Sequence, residues 1–445
     1  MMLNSYKNQN MRTHQYFLIP ALALLAFGCN NTTSEATDDN SGKAQPNSQW
    51  DDPTIELPEG FRAIVVADSV GRARHIAVRD NGDIYIQLSR EQNGKGLAAL
   101  RDEDGDGHAD RIEYFGSHTG TGIDIHDGYL YCSSDLAVYR YPLPQGDELV
   151  PDESQRALVV GGFPEQDQHA SKSFTLDEKG NLYVNVGAPS NACMYEARTK
   201  GSAGQDPCPQ LEWQAGIWKF EAGALAQTQK KDGHRYATGL RNCVAIQWNP
   251  RTNSLYALQH GRDQLSFLYP ELYSDQDNAE LPAEEFVSIN EGDNFGWPYC
   301  YFDQRKGQKI LAPEYGGDAS KQGRCSDIKP PILAFPGHMA PNDLFFYTAT
   351  QYPEKYRNGA FIAFHGSWNR APLPQKGFFV AFVPMKDGQP NGDWEIFADN
   401  IAGIENIVSP RDAHHRPTGL AVGPDGALYI SDSVKGKVWK VVYKS

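Results

Sequence analysis

The sequence predicts an all-β chain folded as a six-bladed β-propeller, with loop insertions and a site in its central channel. Two observations carry this: a turn-plus-strand unit recurs six times, and no long helical periodicity separates the copies. Composition agrees. The 445 residues include 42 Gly and 28 Pro, with 40% hydrophobic and 22% charged, which excludes both a disordered chain and a helical bundle.

In chain order the copies are Asp80-Asn81-Gly82-Asp83-Ile84-Tyr85-Ile86, His126-Asp127-Gly128-Tyr129-Leu130-Tyr131, and Asp177-Glu178-Lys179-Gly180-Asn181-Leu182-Tyr183-Val184. Then come Pro250-Arg251-Thr252-Asn253-Ser254-Leu255-Tyr256-Ala257, Arg357-Asn358-Gly359-Ala360-Phe361-Ile362-Ala363 and Pro424-Asp425-Gly426-Ala427-Leu428-Tyr429-Ile430. Gly and Asn supply the positive φ of a tight turn, and apolar/aromatic alternation fits a half-buried strand, so each copy reads as a hairpin. The gap from Ser254 to Gly359 must hold a long excursion. Loops from every blade meet at one channel, so the chemistry is expected from residues scattered along the chain.

Ahead of the propeller, residues 1–28 carry Lys7 and Arg12 and then an apolar run from Tyr16 to Gly28. The run is too short to span a bilayer, which needs about 20 residues, and it ends in Leu25-Ala26-Phe27-Gly28-Cys29. It reads as a signal peptide of the lipoprotein kind, although Ala26 and Phe27 fit imperfectly, with Cys29 as the lipidated first residue of an exported, cell-envelope protein. Residues 29–52 have little to bury and read as a flexible tether, leaving 53–445 for the propeller. Six further cysteines in an exported chain favour disulfides. Cys193 with Cys208 and Cys300 with Cys325 each close a short loop, while Cys132 and Cys243 either pair or are small buried residues.

The formal net charge is −15, and −17 once Lys7 and Arg12 are removed, which argues against nucleic acid or an anionic membrane as partner. Against that acidity, a basic cluster recurs at corresponding places: His169 before the third repeat, Gly239-Leu240-Arg241-Asn242 before the fourth and His260-Gly261-Arg262-Asp263 after its strand. His365-Gly366-Ser367-Trp368-Asn369-Arg370 follows the fifth and His414-His415-Arg416-Pro417 precedes the sixth. Arginines and histidines converging on a channel suit an anionic ligand. Separately, Asp102, Asp104, Asp106, Asp110 and Glu113 fall at positions 1, 3, 5, 9 and 12 of a loop with Gly107 at position 6 and His108 at 7. That spacing matches a calcium loop, here between strands.

Taken together, His169 with Ser171, Gly239-Leu240-Arg241-Asn242, His260-Gly261-Arg262-Asp263, Asn294-Phe295-Gly296-Trp297-Pro298 and Arg416-Pro417-Thr418-Gly419 resemble the glucose/sorbosone dehydrogenase family over residues 55–443. These are six-bladed quinoproteins that use pyrroloquinoline quinone and calcium. The resemblance implies His169 as general base toward a sugar hydroxyl and Arg241 as the group that stabilises charge on the quinone oxygen. It implies Asn242, His260, Gly261, Arg262, Trp297, Arg370, His415 and Arg416 at the cofactor, with carbonyls at Gly261 and Arg262 holding its calcium. Two departures bring it nearer the sorbosone and pyranose dehydrogenase branch: Gly187-Ala188-Pro189-Ser190-Asn191 lacks the aspartate that supports the histidine in the glucose branch, and Gly366 to Arg370 stands where that branch has a lysine.

The expected function is therefore oxidation of an aldose, pyranose or sorbosone-like sugar, with electrons passed to a separate cytochrome or quinone. A calcium-dependent propeller hydrolase such as a lactonase would need carboxylates converging on the ion, and channel-facing arginines argue against it. A non-enzymatic glycan- or protein-binding propeller is the third reading.

Overall fold

The computed structural model describes residues 49–443, so the signal peptide and most of the tether lie outside the described residues. Six blades, each built on four antiparallel strands, follow one another round a ring, and the second and third each gain a short fifth strand, Gln227–Thr228 and Asp293–Asn294, paired parallel at the outer edge. Their innermost strands are Ala73–Val78, Ile123–His126, Phe174–Leu176, Ala245–Asn249, Pro341–Phe346 and Pro417–Val422. At every predicted repeat the innermost strand turns back into the second strand of its blade. The turn places Gly82, Gly128, Gly180 and Gly426, or Asn253 and Asn358, at positive φ, the conformation that L-residues with larger side chains resist.

Closure comes from the two ends of the chain. Phe61–Ala67 pairs antiparallel with the final strand Val438–Tyr443, Phe61 opposite Tyr443, and so completes the sixth blade. Trp50 and Asp52 extend this clasp, since Asp52 N donates to Ala63 O and Val65 N to Trp50 O.

Strands such as Ala360–Phe364 and Leu428–Asp432 are buried at every position rather than at alternate ones. The reason is the ring itself: each blade is covered on both faces by its neighbours. Six apolar clusters fill the six blade interfaces. The most aromatic lies between the fifth and sixth blades, where Tyr347, Tyr352, Tyr356, Phe361, Phe382 and Phe397 pack toward Ile430, Trp439 and Val441. Each fully buried side chain of this size adds about 1.5–3 kcal/mol.

The long excursion predicted after Ser254 holds helices Leu265–Leu268 and Asp275–Glu280 and a hairpin of Cys300–Asp303 with Gln308–Leu311. Both predicted disulfides are present, Cys193–Cys208 and Cys300–Cys325. Cys132 and Cys243 are free and buried in different blade interfaces, the first and second blades for Cys132 and the third and fourth for Cys243. They do not pair. Among the described residues no helix is long and apolar enough to cross a membrane.

Candidate active site

Innermost strands begin, and second strands end, at the channel end opposite the repeat turns. His169, Arg241, Asn242, His260, His365, His415 and Arg416 flank such strand ends on the third to sixth blades. The predicted cluster therefore shares one mouth.

His169 stands at φ 53 on a loop that Gln166 pins, its amide nitrogen donating to the carbonyls of Gln168 (2.7 Å), His169 (3.0 Å) and Gly187 (3.0 Å). The imidazole Nδ1 lies 2.6 Å from Ala188 O. A carbonyl only accepts, so Nδ1 carries the proton and Nε2 keeps the lone pair. Ala188 N in turn donates to Arg241 O at 2.7 Å. A main-chain carbonyl, rather than a carboxylate, thus orients the ring. Burial, followed by the charge of Arg241, pushes the His169 pKa down to about 3, which leaves the imidazole neutral.

Gly187 supports this placement. A Cβ there would lie 2.6 Å from His169 Cβ and 2.8 Å from Asn242 Oδ1, so Gly187→Ala must displace one of them. Misplacing a base by about 1 Å costs about 10²-fold. Gly187→Ala is expected to lower turnover by that order and, because the Cβ also meets His169 O at 2.9 Å, to lower the melting temperature modestly, measured by steady-state kinetics beside thermal unfolding.

Arg241 is buried and four of its five side-chain N–H groups are engaged: Nε with Asn191 O (3.3 Å), Nη1 with Gly261 O (2.9 Å), and Nη2 with Asn191 Oδ1 (3.1 Å) and Asp263 Oδ2 (2.9 Å). One Nη1 N–H remains open. Burial alone would raise the Asp263 carboxyl, but Arg241, His338 and Arg198 hold it well below the usual carboxylate range. Asn191 is the hub that the sequence reading passes over: it also accepts from Asp263 N (2.8 Å), donates to Asp263 O (3.0 Å) and receives Trp297 Nε1 (3.1 Å).

The remaining candidates divide. Asn242 accepts from Asn185 (3.2 Å) behind the mouth, and His260 Nε2 donates to Pro341 O (2.7 Å), with burial pushing its pKa down to about 4. Arg416 donates Nε to His365 O (3.0 Å) and Nη2 to Gly366 O (2.6 Å), beside a His415 held by Asp432 (2.9 Å). Three others are engaged by protein partners, although Trp297 and Arg262 still line one small cavity with Arg241 and His260. Trp297 packs behind the Cys193–Cys208 disulfide, Arg262 grips Glu314 in a buried pair, and Arg370 is consumed by Ala279 O, Gly337 O, Pro374 O and Glu280.

Arg74, at the start of the first innermost strand, is the cation the sequence reading misses. Its Nε reaches Thr121 Oγ1 (3.2 Å), while Nη1 and Nη2 have no acceptor among the described residues. Burial pulls its pKa down to about 10 against the opposing pull of Asp135 and Asp343, and its charge is felt by Arg416, His365 and His260. Arg74, Arg416 and the open N–H of Arg241 therefore offer unmatched donors at one mouth. That fits a ligand with several carboxylate or carbonyl oxygens.

A cation on the carbonyls of Gly261 and Arg262 fits less well, because Gly261 O already accepts from the Arg241 guanidinium. In the acidic loop Asp102, Asp104 and Asp106 bring carboxylate oxygens within 4.8 Å of one another. Asp110 instead caps Glu103 N, Glu113 pairs with Arg111, and His108 Nδ1 bonds Val65 O while its ring stacks on Trp50. Three of the six predicted side chains converge there.

Burial of so many histidines has a consequence for acid stability. His75, His118, His169, His260, His338 and His365 all have lowered pKa values, principally from burial. Each gains a proton on unfolding below about 6.5, so each costs stability as pH falls. Burial raises Asp343 to about 8, Glu284 to about 7 and Asp124 to about 6, which works in the opposite sense. The histidines outnumber the acids, so the melting temperature is expected to fall from pH 6.5 to 5, and to fall also toward pH 8 as Asp343 and Glu284 ionise. A thermal-unfolding series across that range checks both limbs.

Known proteins agree with this architecture. The chain is 23% identical over 399 residues to a pyrroloquinoline quinone-dependent sugar dehydrogenase of Hypocrea jecorina, covering 84% of each. It is 24% identical to a pyrroloquinoline quinone-dependent pyranose dehydrogenase of Coprinopsis cinerea, covering 89% of this chain and 55% of that one. The holo quinone domain of the Coprinopsis cinerea pyranose dehydrogenase superposes with a TM-score of 0.67 over 89% of this chain and 98% of the domain, at 20% identity, a likeness of fold. The family model described as TrAA12-like matches residues 55–444, and the chain belongs to that family.

Proposed function

We propose that this chain is an oxidoreductase that binds pyrroloquinoline quinone and oxidises a sugar at a pyranose or related carbon. One observation carries the reading: a neutral histidine, fixed in the tautomer with Nε2 as base, shares one channel mouth with Arg74, Arg241 and Arg416 from three blades, each of which keeps at least one N–H that no protein acceptor takes. The relatives in Hypocrea jecorina and Coprinopsis cinerea support the cofactor and the substrate class.

Arg74 and Arg416 would hold the cofactor's carboxylates, and the open N–H of Arg241 would face a quinone oxygen. When bound, the quinone supplies the acceptor for the hydrogen and electron pair that leave the sugar carbon. His169 Nε2 takes the hydroxyl proton, and Ala188 O stabilises the imidazolium that results. Arg241 keeps its alignment because Asn191, Gly261 and Asp263 hold it from three sides. Electrons then pass to a separate cytochrome or quinone, and the chain acts in the cell envelope, exported and lipid-anchored at Cys29. This placement rests on residues 1–29 of the sequence.

The test is to titrate purified protein with the quinone, with and without calcium, and to follow sugar-dependent dye reduction over a panel of aldoses and pyranosides. The expected result is saturable quinone binding, a raised melting temperature and sugar-dependent reduction. Absence of both binding and reduction overturns the proposal.

A further inference from the structure

Beside His169, Arg198 and Trp368 lie outside the apolar core, and Arg198 shares Asp263 with Arg241. The loop spanning residues 187–211, closed by Cys193–Cys208, brings Arg198 to the mouth. There Nη1 donates to Gln264 Oε1 at 2.7 Å, and Nη2 to Asp263 Oδ2 at 2.9 Å and Gln168 Oε1 at 3.4 Å. The guanidinium carbon lies 5.9 Å from the Trp368 ring centroid. Gln168 precedes the candidate base and Asp263 also holds Arg241, so Trp368 stands one guanidinium away from the site.

Trp368 is 49% exposed, and among the described residues, which include all eight tryptophans, it is the only exposed one. Its neighbours are the reverse. Asn369 and Arg370 are 3% and 2% exposed; the Asn369 side chain meets Gln264 N (3.2 Å) and His338 Nε2 (3.1 Å), while its carbonyl accepts from Asn278 (2.7 Å). Arg370 anchors the same turn through Glu280. An indole left in solvent on a turn fixed so firmly has an ordered, apolar face ready for a ligand, where a structural tryptophan would be covered.

We propose that Trp368 and Arg198 form the sugar subsite of the reaction proposed above, on which this inference rests. The indole takes the C–H face of a pyranose ring, and Arg198 and Gln168 bind its hydroxyls, so that the reacting hydroxyl faces His169 Nε2. The substrate class is a neutral pyranose, because the charge of Arg198 is already met by Asp263.

The experiment uses the quinone-loaded protein and its Trp368→Ala, Trp368→Phe and Arg198→Ala variants, with D-glucose, D-galactose and D-xylose as probes. It reads KM and kcat for dye reduction, the equilibrium Kd of each sugar by calorimetry, and the Kd of the quinone. Trp368→Ala is expected to raise sugar KM and Kd at least tenfold, with kcat within threefold and quinone Kd unchanged. Trp368→Phe recovers most of the loss, and Arg198→Ala raises KM in the same direction. The subsite is overturned by unchanged sugar Kd in Trp368→Ala, by quinone binding lost along with it, or by none of the three sugars binding the parent protein. Sugar binding that depends on Trp368 without any dye reduction upholds the subsite and overturns the oxidation reading.

Discussion

Replacing His169 with alanine is expected to cut turnover by about 10²–10⁴-fold, the range a positioned general base contributes, with the quinone Kd unchanged within a factor of two. The imidazole is neutral because burial and Arg241 push its pKa down to about 3, and its one N–H is committed to Ala188 O. Its remaining chemistry is to accept a proton at Nε2. Alanine removes that acceptor and leaves Ala188 O without its donor, which costs about 1–3 kcal/mol, so the melting temperature falls modestly. Because Arg74 and Arg416 make no side-chain contact with the imidazole, the groups assigned to the cofactor carboxylates stay in place. Stopped-flow reduction of the bound quinone by excess sugar separates the two roles. A slowed reductive step at full quinone occupancy supports the assignment, and an unchanged step removes His169 from it.

The blade count is legible in the sequence because a turn at positive φ admits few residues, and all six turns meet the demand with Gly or Asn. Both disulfides are legible for a similar reason: each closes a short local loop. Orientation of the base is not legible, since its partner is the main-chain carbonyl of Ala188, and a carbonyl carries no residue signature. Arg74 sits inside an innermost strand, next to a buried His75, and only closure of the ring leaves its guanidinium without an acceptor. Arg262 and Arg370 lie in the same motifs as groups at the mouth, yet they turn to Glu314 and Glu280. Those acids come from the long excursion of the fourth blade, whose path no local pattern specifies.

Glu314→Gln is expected to lower stability by about 3–5 kcal/mol, the usual result of stranding a buried charge. The Arg262 and Glu314 side chains are 4% and 0% exposed, and Nη1 meets both carboxylate oxygens at 2.5 Å. Burial would push the guanidinium pKa down, and Glu314 outweighs it, holding Arg262 above the ordinary arginine value. Glutamine keeps the volume and an acceptor but not the charge, so the loss reports electrostatics more than packing. The double variant Arg262→Met with Glu314→Leu is expected to recover most of it, because replacing both members of a buried pair with apolar groups of similar volume is often near neutral. The pair also acts on the site. Arg262 lies between Gly261, whose carbonyl receives Arg241, and Asp263, whose carboxylate receives Arg241 and Arg198. A free Arg262 pulls that segment out of register, so Glu314→Gln should lower turnover as well as stability. The double variant, with stability restored, should regain turnover only as far as the main chain of 261–263 returns. Chemical denaturation beside steady-state kinetics on the three proteins measures the coupling, and an unfolding midpoint unmoved in Glu314→Gln would show that the pair does not hold the insertion to the ring.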